Sequence, residues 1–357
     1  MKLKNLAILL PAFASSSNVP ERTVLEILEH VNSIPKTWKS GLNKRFNPAS
    51  KPSDHNLHSI LNYDENAHID NPHPTHRVPN VADEDIPASF DPRDKWGAMC
   101  KTLYEITDQG PCASSWAMAG ATAFADRACI QTNGAIDRTQ SSKDVLDCCH
   151  GCTPFQGGCY GGYMPQNWIS FKNYGISSGG LYGSNDGCKP YDREPCEHWE
   201  HQWADDVEPL PQCDSFGVAE KPVCDLACSN PDYSVNYYDD LIKMDDYYGI
   251  TSHKVSDIQK ELMTNGPIET TFKVYDDFLT YESGVYYHVD GRKQNYVHSL
   301  RLLGWGVDEE TNMDYWLVAN SWNADWGENG YFRVRRGTNE CGIEGTMYMG
   351  NMAGWEV

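Results

Sequence analysis

Three segments of this sequence carry side chains with the types and local settings that nucleophilic chemistry requires. Ser114 and Ser115 stand in D-Q-G-P-C-A-S-S-W-A-M-A-G (residues 108–120), where a turn enters an alanine-rich stretch. His298 lies in Y-V-H-S-L-R-L-L-G-W-G, and Asn320 in W-L-V-A-N-S-W. A serine hydroxyl attacks a carbonyl only if a base takes its proton during the attack, and the base must be oriented by a third group. His298 is the candidate base and Asn320 the candidate orienting group. A carboxamide is neutral, so it holds an imidazole in place without stabilising the imidazolium as a buried carboxylate does.

The cysteines point to covalent cross-links rather than to metal. There are thirteen, none before Cys100, crowded between Cys100 and Cys228 with Cys341 far downstream. A zinc site would call for two paired C-x-x-C units, whereas Cys149-x-x-Cys152 is the only such spacing and no histidine cluster accompanies it. His198 and His201 lack an evident third ligand, so neither a metal nor a cofactor is expected. The chain begins M-K-L-K-N-L-A-I-L-L-P-A-F-A-S, with Lys2 and Lys4, a short apolar run and a small-x-small site at Ala12-Phe13-Ala14. This is a secretory signal pattern over residues 1–14, too short to span a bilayer, and it places the protein in a disulfide-permissive secreted or lysosomal compartment. A formal net charge of -21 argues against nucleic acid or an anionic membrane surface as partner, since both need a basic face.

The elements that must carry these residues follow from periodicity. Val24, Leu25, Leu28 and Val31 fall at helical spacing with charges between them, which predicts a short amphipathic helix. Residues 47–85 are rich in Pro, Asn, Asp and His with little period and read as a linker or extended strap, with a boundary near Ile86. Residues 114–130 are apolar almost all round with high helix propensity, which predicts a buried central helix as a rigid mount for Ser115. Glycine-rich turns (Gly157-Gly158, Gly161-Gly162, Gly179-Gly180) follow, and the last third carries strand signals at H-S-L-R-L-L-G-W-G-V, D-Y-W-L-V-A-N-S-W and G-Y-F-R-V-R-R-G. Helices first and sheet last predicts an α+β protein with two lobes.

Taken in order, these motifs resemble those of the papain-like cysteine peptidases, in which Q-G-x-C-G-S-C-W carries the nucleophile, a histidine opens a strand, and N-S-W orients it. Within that superfamily the sequence is most similar to the cathepsin B-like members, through I-P-A-S-F-D-P-R-D-K-W at the prosegment junction and G-L-Y-G-S-N-D-G-C-K-P-Y-D-R-E-P-C-E-H (residues 180–198) in the occluding-loop region. The resemblance spans residues 20–354. It implies a two-lobed fold, a helical lobe beside a β-barrel-like lobe with the active-site cleft between them. It also implies a signal peptide (1–14), a propeptide (15–85) and a peptidase domain (86–357) whose occluding-loop region is 188–228.

Carried over position by position, the resemblance puts the nucleophile at Ser115, the base at His298, the orienting amide at Asn320 and the oxyanion donor at Gln109. Gly161 and Gly162 would pair with substrate backbone, Trp322 would flank the cleft, Thr346 would floor the S2 pocket, and His198 would sit in the occluding loop, either paired with Asp108 as the resemblance implies or solvated. The implied disulfides are Cys100–Cys129, Cys112–Cys159, Cys148–Cys224, Cys149–Cys152, Cys188–Cys228 and Cys196–Cys213, leaving Cys341 free. The missing fourteenth cysteine is the nucleophile. Further departures are Ala113 for Gly, Tyr160 for Asn, Val297 and Ser299 for the Gly and Ala that flank the histidine, Thr346 for an acidic residue, and Trp199 for the second of two adjacent histidines.

These features imply a pseudopeptidase that works by binding peptides, its own propeptide or cystatin-like inhibitors. The alternative is a peptidase with residual serine-dependent hydrolysis.

Overall fold

The computed structural model describes residues 21–43, 45–46, 48–52, 78–153, 158–196, 211, 223–250 and 252–354. The signal-peptide pattern, His198, Trp199, His201 and Cys213 lie outside the described residues. The helices are α1 (Val24–Ser33), α2 (Pro92–Trp96), α3 (Ser115–Gln131), α4 (Ser142–Cys148), α5 (Met164–Asn173), α6 (Tyr237–Asp240) and α7 (Val255–Asn265). The strands are β1 (Trp38–Ser40), β2 (Asp246–Ile250), β3 (Ile268–Tyr275), β4 (Tyr281–Tyr286), β5 (Lys293–Val307), β6 (Asp314–Ala319), β7 (Tyr331–Arg335) and β8 (Met347–Asn351).

All eight strands form one sheet in the order β1-β4-β7-β6-β5-β3-β8-β2. Among the described residues the sheet of the expected barrel-like lobe is not closed: β1 pairs only with β4 and β2 only with β8, which leaves two edges. Long β5 is the spine, antiparallel to both β3 and β6. Apolar side chains of this sheet and its connections, among them Phe272, Phe278, Leu302, Trp316, Trp322 and Phe332, build one core. A second core belongs to the helical lobe, where Trp116, Phe124, Trp168 and Phe171 pack around α3.

Helix α3 has every residue buried. Its run of alanines explains how: small side chains cost little entropy in a helix and let neighbours approach from all sides. Five disulfides tie the helical lobe, Cys100–Cys129, Cys112–Cys159, Cys148–Cys224, Cys149–Cys152 and Cys188–Cys228. Cys196 is also disulfide-bonded, and Cys341 is a buried free thiol.

Most of the strap expected over residues 47–85 lies outside the described residues, and the amphipathic helix expected before it is present. Helix α1 opens with a capping box between Thr23 and Glu26 and buries Val24, Ile27, Leu28 and Val31; Val24, Ile27 and Val31 join the core of the sheet lobe. Strand β1 extends the sheet edge, and the Trp38 indole N–H donates to the Tyr287 carbonyl at 3.0 Å. Ion pairs Arg22–Asp290 and Glu21–Arg292 fasten the same surface.

Candidate active site

Ser115 is the first residue of α3, at the positive end of its dipole, and is wholly buried. The preceding Ser114 does not cap the helix with its side chain. Its hydroxyl is instead 2.9 Å from that of Tyr191, and the Tyr191 hydroxyl donates to the Gln109 carbonyl at 3.0 Å. Ser115 Oγ accepts the backbone N–H of Ser299 at 3.1 Å. The hydroxyl thus lies directly beneath β5, the strand that carries His298.

His298 is fully buried on β5, opposite Phe272 of β3, with its ring centroid 4.9 Å from that of Trp322. Its Nε2 is 2.8 Å from Asn320 Oδ1, which also accepts the Ser321 N–H at 2.8 Å. With an acceptor facing Nε2, the proton resides there and Nδ1 keeps the lone pair. Nδ1 is buried with no hydrogen-bond partner among the described residues. Burial holds the imidazole well below its usual value, at about 4, although the Asn320 hydrogen bond favours the proton; Arg45 lowers it further. The ring is therefore neutral across mildly acidic and neutral pH.

Gln109 is buried, and its side-chain amide is held at both ends: Nε2 donates to the Cys112 carbonyl at 2.9 Å and Oε1 accepts from the Ser321 hydroxyl at 2.8 Å. This fixes a donor beside the start of α3. Gly161 has φ of +94°, and at Gly162 a Cβ would meet the Trp116 indole at 2.5 Å, so both positions require glycine. Thr346 is buried just before β8, and its carbonyl accepts from the Thr270 hydroxyl at 3.2 Å. Val297, beside the histidine, is also buried. Ser115, His298, Asn320, Gln109 and Trp322 are thus gathered at the junction of the two cores.

Sequence reasoning missed two further sets of residues. Arg45 and Phe46, from the N-terminal segment, enter this junction: the Phe46 ring packs edge-on against Trp322 with centroids 5.2 Å apart. Arg45 is buried, pairs with Asp108 at 3.3 Å and donates to the Gly110 carbonyl at 3.2 Å. The Asp108 carboxylate receives Arg45, the Gly110 N–H and the Asn323 amide, and its expected partner His198 lies outside the described residues. The second set is Glu269 with its donors Asn167 and Trp168 behind the site, joined by Ser299, which the sequence marks only as a departure beside the histidine. No motif marks Glu269, since its partners are distant in sequence.

A helix N-terminus, an imidazole with its tautomer fixed by an asparagine, and a glutamine donor between two lobes is the layout of an acyl-transfer site built for a thiolate. The chain belongs to the papain family of cysteine proteases, whose family model matches residues 86–351. It is 40% identical over 332 residues to cathepsin B-like cysteine proteinase 4 of Caenorhabditis elegans, covering 90% of each chain. It is 38% identical to cathepsin B-like cysteine proteinase 5 of the same organism, covering 95% of this chain and 94% of the other. Among solved structures, procathepsin B S9 from Trypanosoma congolense superposes with a TM-score of 0.73 at 29% identity, covering 92% of this chain and 99% of that one.

Proposed function

We propose that this protein is a catalytically impaired cathepsin B-like homologue whose cleft binds polypeptide, its own N-terminal segment first, without efficient cleavage. The observation that carries the reading is the state of Ser115: a buried hydroxyl that accepts the Ser299 N–H, beside a neutral His298 whose Nδ1 has no partner among the described residues.

A thiol in such a place ionises at rest, its pKa falling from about 8.5 to roughly 3–4. A hydroxyl does not, and each pH unit of mismatch costs about 1.36 kcal/mol. Ser115 would have to lose its proton to His298 during attack, and the resulting imidazolium would be buried with only a carboxamide to face it. The burial that lowers the proton affinity of His298 disfavours that imidazolium directly.

Binding needs none of this, because affinity and chemistry are separable. The glycine pair, the Trp322 wall and the Gln109 donor remain, and Phe46 and Arg45 occupy the wall from within the chain. Residues 15–85 act in this reading as a propeptide that an external protease must remove before a peptide or a cystatin-like inhibitor can enter. Removing that segment with an added protease and titrating the product with a cystatin by calorimetry tests the binding half. Micromolar or tighter affinity, about -8 kcal/mol or better, is expected, and absence of heat contradicts it. Turnover by the same product tests the catalytic half.

A further inference from the structure

Glu269, the second residue of β3, is a fully buried acid. Its Oε1 accepts the Ser299 hydroxyl at 2.9 Å and the Asn167 amide at 3.4 Å, and its Oε2 accepts the Trp168 indole N–H at 2.7 Å. All three donors are neutral, and among the described residues no cation pairs with it. Asn167 also donates to the Trp116 carbonyl at 2.6 Å. One carboxyl group therefore gathers β3 and β5 from the sheet lobe and α5 from the helical lobe, and through Asn167 reaches the first turn of α3.

The place is unusual because both bonded neighbours of the site are reached through it. Ser299 follows His298, and its backbone N–H donates to Ser115 Oγ. Trp116 follows Ser115. At Gly120, one turn along α3, a Cβ would approach the Asn167 amide at 2.7 Å and Glu269 Oε2 at 3.2 Å, so the helix presses directly on the cluster.

We propose that Glu269 is a positioning residue for the group at position 115: through the Ser299 hydroxyl it fixes the segment of β5 whose N–H is aimed at that group, and through Asn167 it fixes the start of α3. This goes beyond the reading of the site as impaired, and it concerns how any nucleophile placed there would be held. Burial pushes the Glu269 carboxyl up to about 8, so the clamp is neutral at acid pH and gains charge only in mildly alkaline solution. The charged groups facing it do not change that. Arg301, its cross-strand partner on β5, is turned to Asp126 of α3 at 2.8 Å and to the Thr102 and Glu105 carbonyls. Arg127 of α3 is held by Glu261 of α7 at 2.8 Å. Asn167 and Trp168 of α5 carry no charge, and Tyr348 of β8, opposite Glu269, is a phenol.

The test uses the intact chain carrying Ser115→Cys, whose introduced thiol reports the site by its ionisation. Thiolate formation is followed by the ultraviolet absorbance difference against the serine parent, and by alkylation with iodoacetamide read by peptide mass. Buried Cys341 serves as internal control for general loosening. In this background Glu269→Ala and Ser299→Ala are each expected to raise the pKa of the introduced thiol by about one unit, a tenfold loss of thiolate below it, with Cys341 still protected. Glu269→Gln, which keeps the hydrogen-bonding shape, is expected to restore the low-pH limb but to remove the inflection near pH 8. Unchanged ionisation of the introduced thiol in Ser299→Ala, an inflection that survives Glu269→Gln, or loss of Cys341 protection in parallel with that thiol would each overturn the proposal. If Glu269→Ala does not fold, the Gln and Ser299 variants decide alone.

Discussion

On the proposed reading, a single atom, the Ser115 oxygen, disables the site. The oxygen lies at the N-terminus of α3 and receives an N–H from Ser299, yet nothing there can hold it as an anion at rest. Replacing Ser115 with Cys is expected to restore measurable endopeptidase activity after removal of the N-terminal segment, with kcat limited by the crowding of Val297 beside His298. Complete inactivity of a folded Ser115→Cys protein would mean that the cleft is damaged beyond the nucleophile. The sequence made Ser115, His298, Asn320 and Gln109 legible because each sits in a short motif with its neighbours. Glu269 was not legible: it lies in an ordinary strand, and its three donors lie 30, 101 and 102 residues away.

At the scale of elements, the segment most poorly read was the N-terminal one. Periodicity revealed α1, because Val24, Leu28 and Val31 form a stripe, but W-K-S is too short to alternate, and β1 exists only because the β4 edge offers it a partner. The last third was read as strands alone, and α7, with Ile258 and Leu262 buried, was passed over among them. The central helix was easy, since a run that is apolar all round is a core helix or a membrane span. Phe46 is the anchor of the N-terminal segment at the site, 1% exposed and against Trp322. Phe46→Ala removes that packing and, by the usual cost of such truncations, weakens docking by about 3–5 kcal/mol. The expected outcome is faster cleavage of the segment by added protease and faster entry of a cystatin. Unchanged rates would show that the α1 and β1 contacts alone hold the segment.

At the scale of the whole molecule, two buried groups set opposite pH trends. The Glu269 carboxyl rises from an ordinary 4.5 to about 8 on folding. Over that window the unfolded chain releases a proton that the fold retains, so stability falls as pH rises. His298 moves from 6.5 down to about 4; there the unfolded chain binds a proton the fold refuses, and stability rises with pH. The two oppose each other between about pH 4.5 and 6.5, and Glu269 acts without that opposition from 6.5 to 8, with a slope of up to about 1.4 kcal/mol per pH unit. Glu269→Gln should flatten the fall in unfolding midpoint over that range, and a parallel fall in variant and parent would contradict the assignment. Alkylation after unfolding without reductant should label Cys341 alone, with Cys196 bridged to Cys213; a labelled Cys112 or Cys159 would mean that the bond beneath the site does not form in solution.

The central claim, that the cleft survives while its chemistry does not, is tested most directly by peptide turnover. The measurement is the hydrolysis of a fluorogenic cathepsin B substrate by the protein freed of its N-terminal segment, beside its Ser115→Ala and Ser115→Cys variants. The account predicts that the parent and Ser115→Ala proteins are equal and near background, with activity only in Ser115→Cys. Robust turnover by the parent that Ser115→Ala abolishes would show a working serine nucleophile and contradict it.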